Sequence, residues 1–299
     1  MTGHSHGAPG TRSSHRRRLL LVFGLVVIFM VAEVVFGVLT GSLALISDAG
    51  HMATDALGLG MSLAAITAAS KASRGNHRTF GFYRLEILAA LANAVLLSAV
   101  AGYVIYEAIQ RLNEPSGVET PTMLIVGAIG LGVNLFGWWV LRGSASESMN
   151  VEGAMLEVVA DLFSSLGVIV AALVILITGW VYADPLIAAT IGLFILPRAY
   201  RLGQRALRVL MQAAPADIDV ALLEQRFKSL AGVTGIHDLH VWTLTSGMPV
   251  ATVHLTTTLE CNRDAVLEHA RHLLRDEFAV THATLQVESA DAVCAELTW

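Results

Sequence analysis

Six apolar runs dominate the chain, near residues 19–40, 43–70, 86–110, 122–142, 153–178 and 183–204. Each has about the 20 residues that a helix needs to cross the hydrocarbon core of a bilayer. In hydrocarbon every backbone N–H and C=O must be satisfied within its own segment, so such runs fold as helices packed side by side. Gly41 and Ser42 leave room only for a very tight turn between the first two. Asn113-Glu114-Pro115-Ser116-Gly117 separates the third from the fourth, and Thr178-Gly179-Trp180 begins the turn between the fifth and sixth. Charged residues make up 14% of the chain and its mean hydropathy is +0.63; a soluble domain carries about 25% charged residues.

Charge is unevenly placed. Residues 1–211 carry a net +2, and residues 212–299 carry 12 Asp/Glu against 5 Lys/Arg, a net −7. A membrane block therefore precedes an acidic soluble domain, and nucleic acid is excluded as a natural partner of either. Arg12, Arg16, Arg17 and Arg18 precede the first run, and Lys71, Arg74, Arg78 and Arg84 fill the connection after the second. Arg142 follows the fourth, and Arg198, Arg201, Arg205 and Arg208 surround the exit of the sixth. The opposite face carries only Arg111, so the bias of basic residues predicts both termini in the cytoplasm. Arg16–Arg18 resemble the charged start of a signal peptide. The apolar stretch that follows is too long for one and lacks a small-residue cleavage site, so it reads as the first span.

Two pairs of ionisable residues break these apolar runs: His51/Asp55 in the second and Glu157/Asp161 in the fifth. Four residues apart on a helix is the same face, one turn along. Each such group near the bilayer centre costs at least about 2.5–3.5 kcal/mol, so four approach roughly 10 kcal/mol unless something compensates. One imidazole and three carboxylates from two facing helices form a four-ligand set for a divalent cation such as Zn²⁺. The same side chains bind protons when no metal is present, and competition between metal and protons is the minimum chemistry of a proton-coupled antiporter.

After Met211 the period changes. DIDVALLEQRFKSLAG opens on an Asp cap and has helical spacing, and HDLHVWTLT and PVATVHLTTTL alternate around a Ser246-Gly247-Met248 turn. RDAVLEHARHLLRDEF is helical again and HATLQVES is a final strand. The order α-β-β-α-β predicts a cytoplasmic α+β, ferredoxin-like domain over 212–299, after a six-helix transmembrane domain over 19–208 and a His-bearing flexible tail over 1–18. Cys261 and Cys294, with no CxxC, suit a reducing compartment.

SLALISDAGHMATDALGLG, RTFGFYRLEILAALANA, HDLHVWTLTSG and THATLQVES together resemble the cation diffusion facilitator family over nearly the whole chain. That resemblance implies a homodimeric exporter of Zn²⁺, often also Cd²⁺ or Co²⁺, in exchange for protons, with its transport site at His51, Asp55, Glu157 and Asp161. It also implies a cytoplasmic metal site at His237, His254 and Glu288, near the dimer interface. The membrane expected is a bacterial inner membrane. Zinc members typically carry His-x3-Asp on both helices, and Glu157 stands where the second imidazole would be. A third carboxylate hardens the site and favours looser discrimination among metals.

Other polar residues have plainer readings. Glu33, Asn93 and Asn134 either line the ion path or hydrogen-bond between helices, the commoner case. Asp48 lies nearly two turns before Asp55, toward the extracytoplasmic end. His282 and His240 are near the cytoplasmic set without matching it cleanly, and His4, His6 and His15 belong to the tail. His77 reads as a loop residue, because Phe82 occupies a position that related sites fill with His. An intramembrane hydrolase would need an HExxH motif and an open metal position; HExxH is absent, so the chain is not expected to be an enzyme. A membrane metal sensor remains the alternative to a transporter.

Overall fold

A computed structural model describes residues 9–54, 56–57, 79–114, 117–142 and 149–289, with the side chains of 9–20, 149–154 and 156 left undescribed. The elements are α1 (Pro9–Thr40), α2 (helical over 43–54 and at 56–57), α3 (Arg84–Asn113), α4 (Thr120–Arg142), α5 (Met149–Thr178) and α6 (Ala183–Leu210). They are followed by α7 (Val220–Lys228), β1 (Val233–Thr245), β2 (Met248–Thr257), α8 (Arg263–Phe278) and β3 (His282–Ser289). Five described helices, α1, α3, α4, α5 and α6, are long and apolar enough to cross a membrane. The remainder of the expected second span lies outside the described residues. α1 is helical from Pro9, so the helix extends into the segment read as a tail.

The chain divides into two compact units, one of residues up to 60 with 92–201, the other of 61–91 with 202 onward. In the first, Phe29 of α1, Leu43, Leu45 and Met52 of α2, Val126 of α4 and Val168 of α5 form one buried cluster. Glycine allows α1 and α4 to approach: a Cβ on Gly130 would lie 2.5 Å from the Phe29 ring. Outward positions are equally apolar. Ile28, Ile177 and Phe194 are 70%, 79% and 80% exposed, an arrangement suited to lipid and not to water.

Gly41, at φ +70°, makes the tight turn into α2. The N-terminus of α2 is capped from another helix. Buried Asp184 of α6 accepts hydrogen bonds from Ser42 Oγ (2.6 Å), Leu43 N (2.8 Å) and Ala44 N (3.1 Å), satisfying donors that a helix start leaves open. Arg111 approaches Asp184 Oδ2 to 3.8 Å and also bonds to the Gly41 carbonyl. Arg111 is thus tied to this turn.

In the second unit, α7 is capped by Asp219, whose carboxylate accepts from Ala221 N and Leu222 N. β1 and β2 form an antiparallel hairpin around Ser246-Gly247, with Thr245 opposite Met248. β3 lies parallel to β2, giving the sheet order β1-β2-β3. Ala251, Val253 and Leu255 point from β2 into a core closed by Leu223 and Phe227 of α7 and Val266, Ala270 and Leu274 of α8. Strand alternation turns Thr252 and His254 to the opposite face.

Candidate metal centres

Within the first unit, α2 and α5 bring two of the expected ligands together. His51 Nε2 lies 4.0 Å from Asp161 Oδ1, and the two residues are 7% and 5% exposed. Glu157, one turn before Asp161 on α5, is half-exposed and pairs with the Arg198 guanidinium of α6. Asp55 lies outside the described residues. Three of the four expected ligands therefore share one region. Arg198 was legible in the sequence only as an orientation signal. A cation inside the sixth apolar run requires an anionic or carbonyl partner, and that requirement was the available clue.

Around this pair lies a further set of buried polar groups. Asn134 Nδ2 donates to Ser165 Oγ at 3.3 Å, which donates to Asp48 Oδ2 at 3.5 Å. Asn134 is thus an interhelical hydrogen-bonding residue between α4 and α5, the commoner of its two readings. Glu33, Asp48, Asn134 and Ser165 are completely buried, and Asn93 is 6% exposed.

In the second unit, His237 and His254 are directly opposed across β1 and β2, with ring centroids 4.9 Å apart. Glu288 reaches them from β3. Its Oε1 is 2.8 Å from His254 Nδ1, and its Oε2 is 3.5 Å from His237 Nε2. One ligand atom from each of the three residues lies within 4.8 Å of the others. Zn²⁺ ligands stand about 2.0–2.2 Å from the ion, so small rotamer changes would admit one. His237 Nε2 is enclosed, with the Glu288 carboxylate as its polar neighbour. The donor set fits a borderline divalent ion, and three protein ligands leave a position open.

A bulge shapes this face. Asp238 adopts φ +50°, and pairing shifts between His237 and His240, so His240 faces Thr252 where His237 faces His254. The extra residue puts both histidines on one face of the sheet. His240 is exposed and stands outside the cluster of three. His282 also lies outside it, with its ring against Phe80.

Residues 19–211 match the cation efflux transmembrane domain, and residues 215–290 match the cytoplasmic domain of cation efflux proteins. The chain is 46% identical over 289 residues to the metal cation efflux system protein CzcD of Cupriavidus metallidurans, covering 96% of this chain and 90% of that protein. It is 38% identical to the zinc transporter ZitB of Escherichia coli, covering 95% and 92%. Identity to a cadmium, cobalt and zinc/H(+)-K(+) antiporter of Bacillus velezensis is 37%, covering 96% and 92%. With both blocks matched in this order, the chain belongs to the cation efflux, or cation diffusion facilitator, family of integral membrane transporters, which are not enzymes.

Proposed function

We propose that this chain exports a divalent transition-metal cation, Zn²⁺ foremost with Cd²⁺ or Co²⁺ as alternatives, from the cytoplasm in exchange for protons. The observation that carries the reading is the buried convergence of His51 and Asp161 from two helices of an apolar bundle. Completed by Asp55 and Glu157, the donors are one imidazole and three carboxylates. A divalent cation offsets most of their charge and replaces water at each of them. Metal arriving at Glu157 displaces the Arg198 guanidinium, and protons replace the metal when it leaves. Alternating exposure of the site to the two sides then couples metal efflux to proton entry. The names of the relatives, for metal efflux, zinc transport and antiport with H⁺ and K⁺, support this assignment.

The architecture proposed with it is six spans over 19–208 after the N-terminal segment 1–18, and a ferredoxin-like domain over 212–299. α2 belongs to the second of these spans, and both termini face the cytoplasm of a bacterial inner membrane. His237, His254 and Glu288 hold a regulatory or structural metal, Zn²⁺ by preference, in a homodimer. The test is metal flux by the purified protein in liposomes, comparing Zn²⁺, Cd²⁺, Co²⁺ and Mn²⁺ with and without a pH gradient. Gradient-dependent flux that vanishes in Asp161→Ala is expected; flux indifferent to both the gradient and the substitution would overturn the reading.

A further inference from the structure

One turn along α2 and α5 from His51 and Asp161, the bundle encloses a second group of side chains with oxygen donors alone. On α2 it contains Asp48, three residues before His51; on α5 it contains Ser164 and Ser165, three and four residues after Asp161. α2 follows the Gly41 turn and α5 precedes the turn at Gly179, so both steps run the same way along the bundle. α1 adds Glu33 and α4 adds Asn134. Ser165 Oγ joins Asp48 to Asn134 through contacts of 3.5 and 3.3 Å, and Ser164 Oγ lies beside Asp48. Glu33 faces the Asp48 carboxyl and lies within electrostatic reach of Asp161.

The group is not balanced by the protein around it. No N–H or hydroxyl of the described residues donates to either Glu33 oxygen, and Asp48 Oδ1 is likewise unbonded. The Asn134 carbonyl, on a completely buried residue tied into the same chain of contacts, also has no partner. Among the described residues no Lys or Arg bonds to Glu33 or Asp48, and the nearest cation-forming group is the His51 imidazole, within electrostatic reach of Asp48. Two carboxyl groups in contact, away from water, require either a shared proton or a cation between them. A shared proton joins one oxygen of each but leaves the Asn134 carbonyl unmatched. A cation with six or more oxygen ligands takes the carboxylates, the amide carbonyl and the serine hydroxyls together.

We propose that Glu33, Asp48, Asn134, Ser164 and Ser165 form a second, all-oxygen cation site in the bundle, for a hard divalent cation of the Mg²⁺ and Mn²⁺ class. Two carboxylates match its charge. The donors are those that suit Mg²⁺, Ca²⁺ and Mn²⁺, whereas the imidazole of His51 biases the neighbouring set toward softer metals. The assignment goes beyond the transport reading and does not depend on it.

The probe is Mn²⁺ itself, titrated into the full-length protein in nanodiscs, with free ion read by its electron paramagnetic resonance signal. Asp161→Asn and His254→Ala are combined as background, so that neither of the other two centres contributes. One Mn²⁺ per chain is expected. Adding Glu33→Gln or Asp48→Asn should weaken it at least about tenfold, the scale on which even outer-shell partners of metal ligands act. Ser165→Ala, which keeps both carboxylates, guards against misfolding and should weaken binding by less. Absence of Mn²⁺ binding in monodisperse background protein, or binding unmoved by both carboxylate substitutions, would overturn the site and leave the pair sharing a proton. Loss of Zn²⁺ flux in Asp161→Ala bears only on the transport reading.

Discussion

The Glu157 carboxylate of α5 is paired with the Arg198 guanidinium of α6. A guanidinium is always charged and has donors in a fixed fork, so it serves as a tethered cation at an anionic site. Metal binding through Glu157 must break this pair. Arg198→Gln is therefore expected to tighten Zn²⁺ binding. Both partners are more than a third exposed, so solvent screening limits the pair to about 1 kcal/mol at most, or about fivefold in Kd. Calorimetric titration of full-length protein carrying His254→Ala checks this, and an unchanged or weaker affinity would show that Arg198 holds no ligand away from metal.

In the proposed transport site, Glu157→His changes the donors from one imidazole and three carboxylates to two of each. Softer donors shift preference from Mn²⁺ toward Zn²⁺. In competition flux assays with both ions present, the Zn²⁺:Mn²⁺ transport ratio is expected to rise. A ratio identical to wild type would mean that position 157 does not contact the transported ion.

Much of this was readable in sequence because local chemistry decided it. α8 and β3 occupy 263–278 and 282–289, the segments that periodicity marked, and Gly247 forms the hairpin turn that its neighbours predicted. α7 is shorter than its apolar pattern, because Asp219 caps it and not Asp217. The face shared by His237 and His240 was hidden, since strict alternation separates residues three apart and the Asp238 bulge cancels it. The partners of Arg198 and Glu33 were hidden for a different reason. Period gives a helix its apolar content, but the rotation that aims Glu33 at Asp48 is set by close approaches such as Gly130 against Phe29.

The sheet-face triad predicts an effect of metal on stability that is confined to its own strands. A ligand that binds only the folded form stabilises by about 2.7 kcal/mol at a hundredfold excess over Kd. Hydrogen exchange of full-length protein should therefore slow in β1, β2 and β3 when Zn²⁺ is added and quicken again with chelator. His254→Ala should abolish this response while leaving helices α7 and α8 protected. Equal Zn²⁺ protection in wild type and variant would place the ion elsewhere.

Asp184, in the first unit, predicts a larger cost. Its carboxylate is fully buried, takes three hydrogen bonds from the start of α2 and lies 3.8 Å from Arg111. Asp184→Ala leaves the Ser42 hydroxyl and two backbone N–H groups without their acceptor, while Arg111 keeps Glu107 and the Gly41 carbonyl; each buried donor left unmatched costs about 1–3 kcal/mol. Ser42→Ala removes one hydroxyl donor and retains the carboxylate, a loss of about 1 kcal/mol. The apparent melting temperature in detergent should therefore fall far more for Asp184→Ala than for Ser42→Ala. Equal shifts would mean that the α2 N-terminus is held by the Gly41 turn and its apolar packing, with Asp184 contributing no more than a single hydrogen bond.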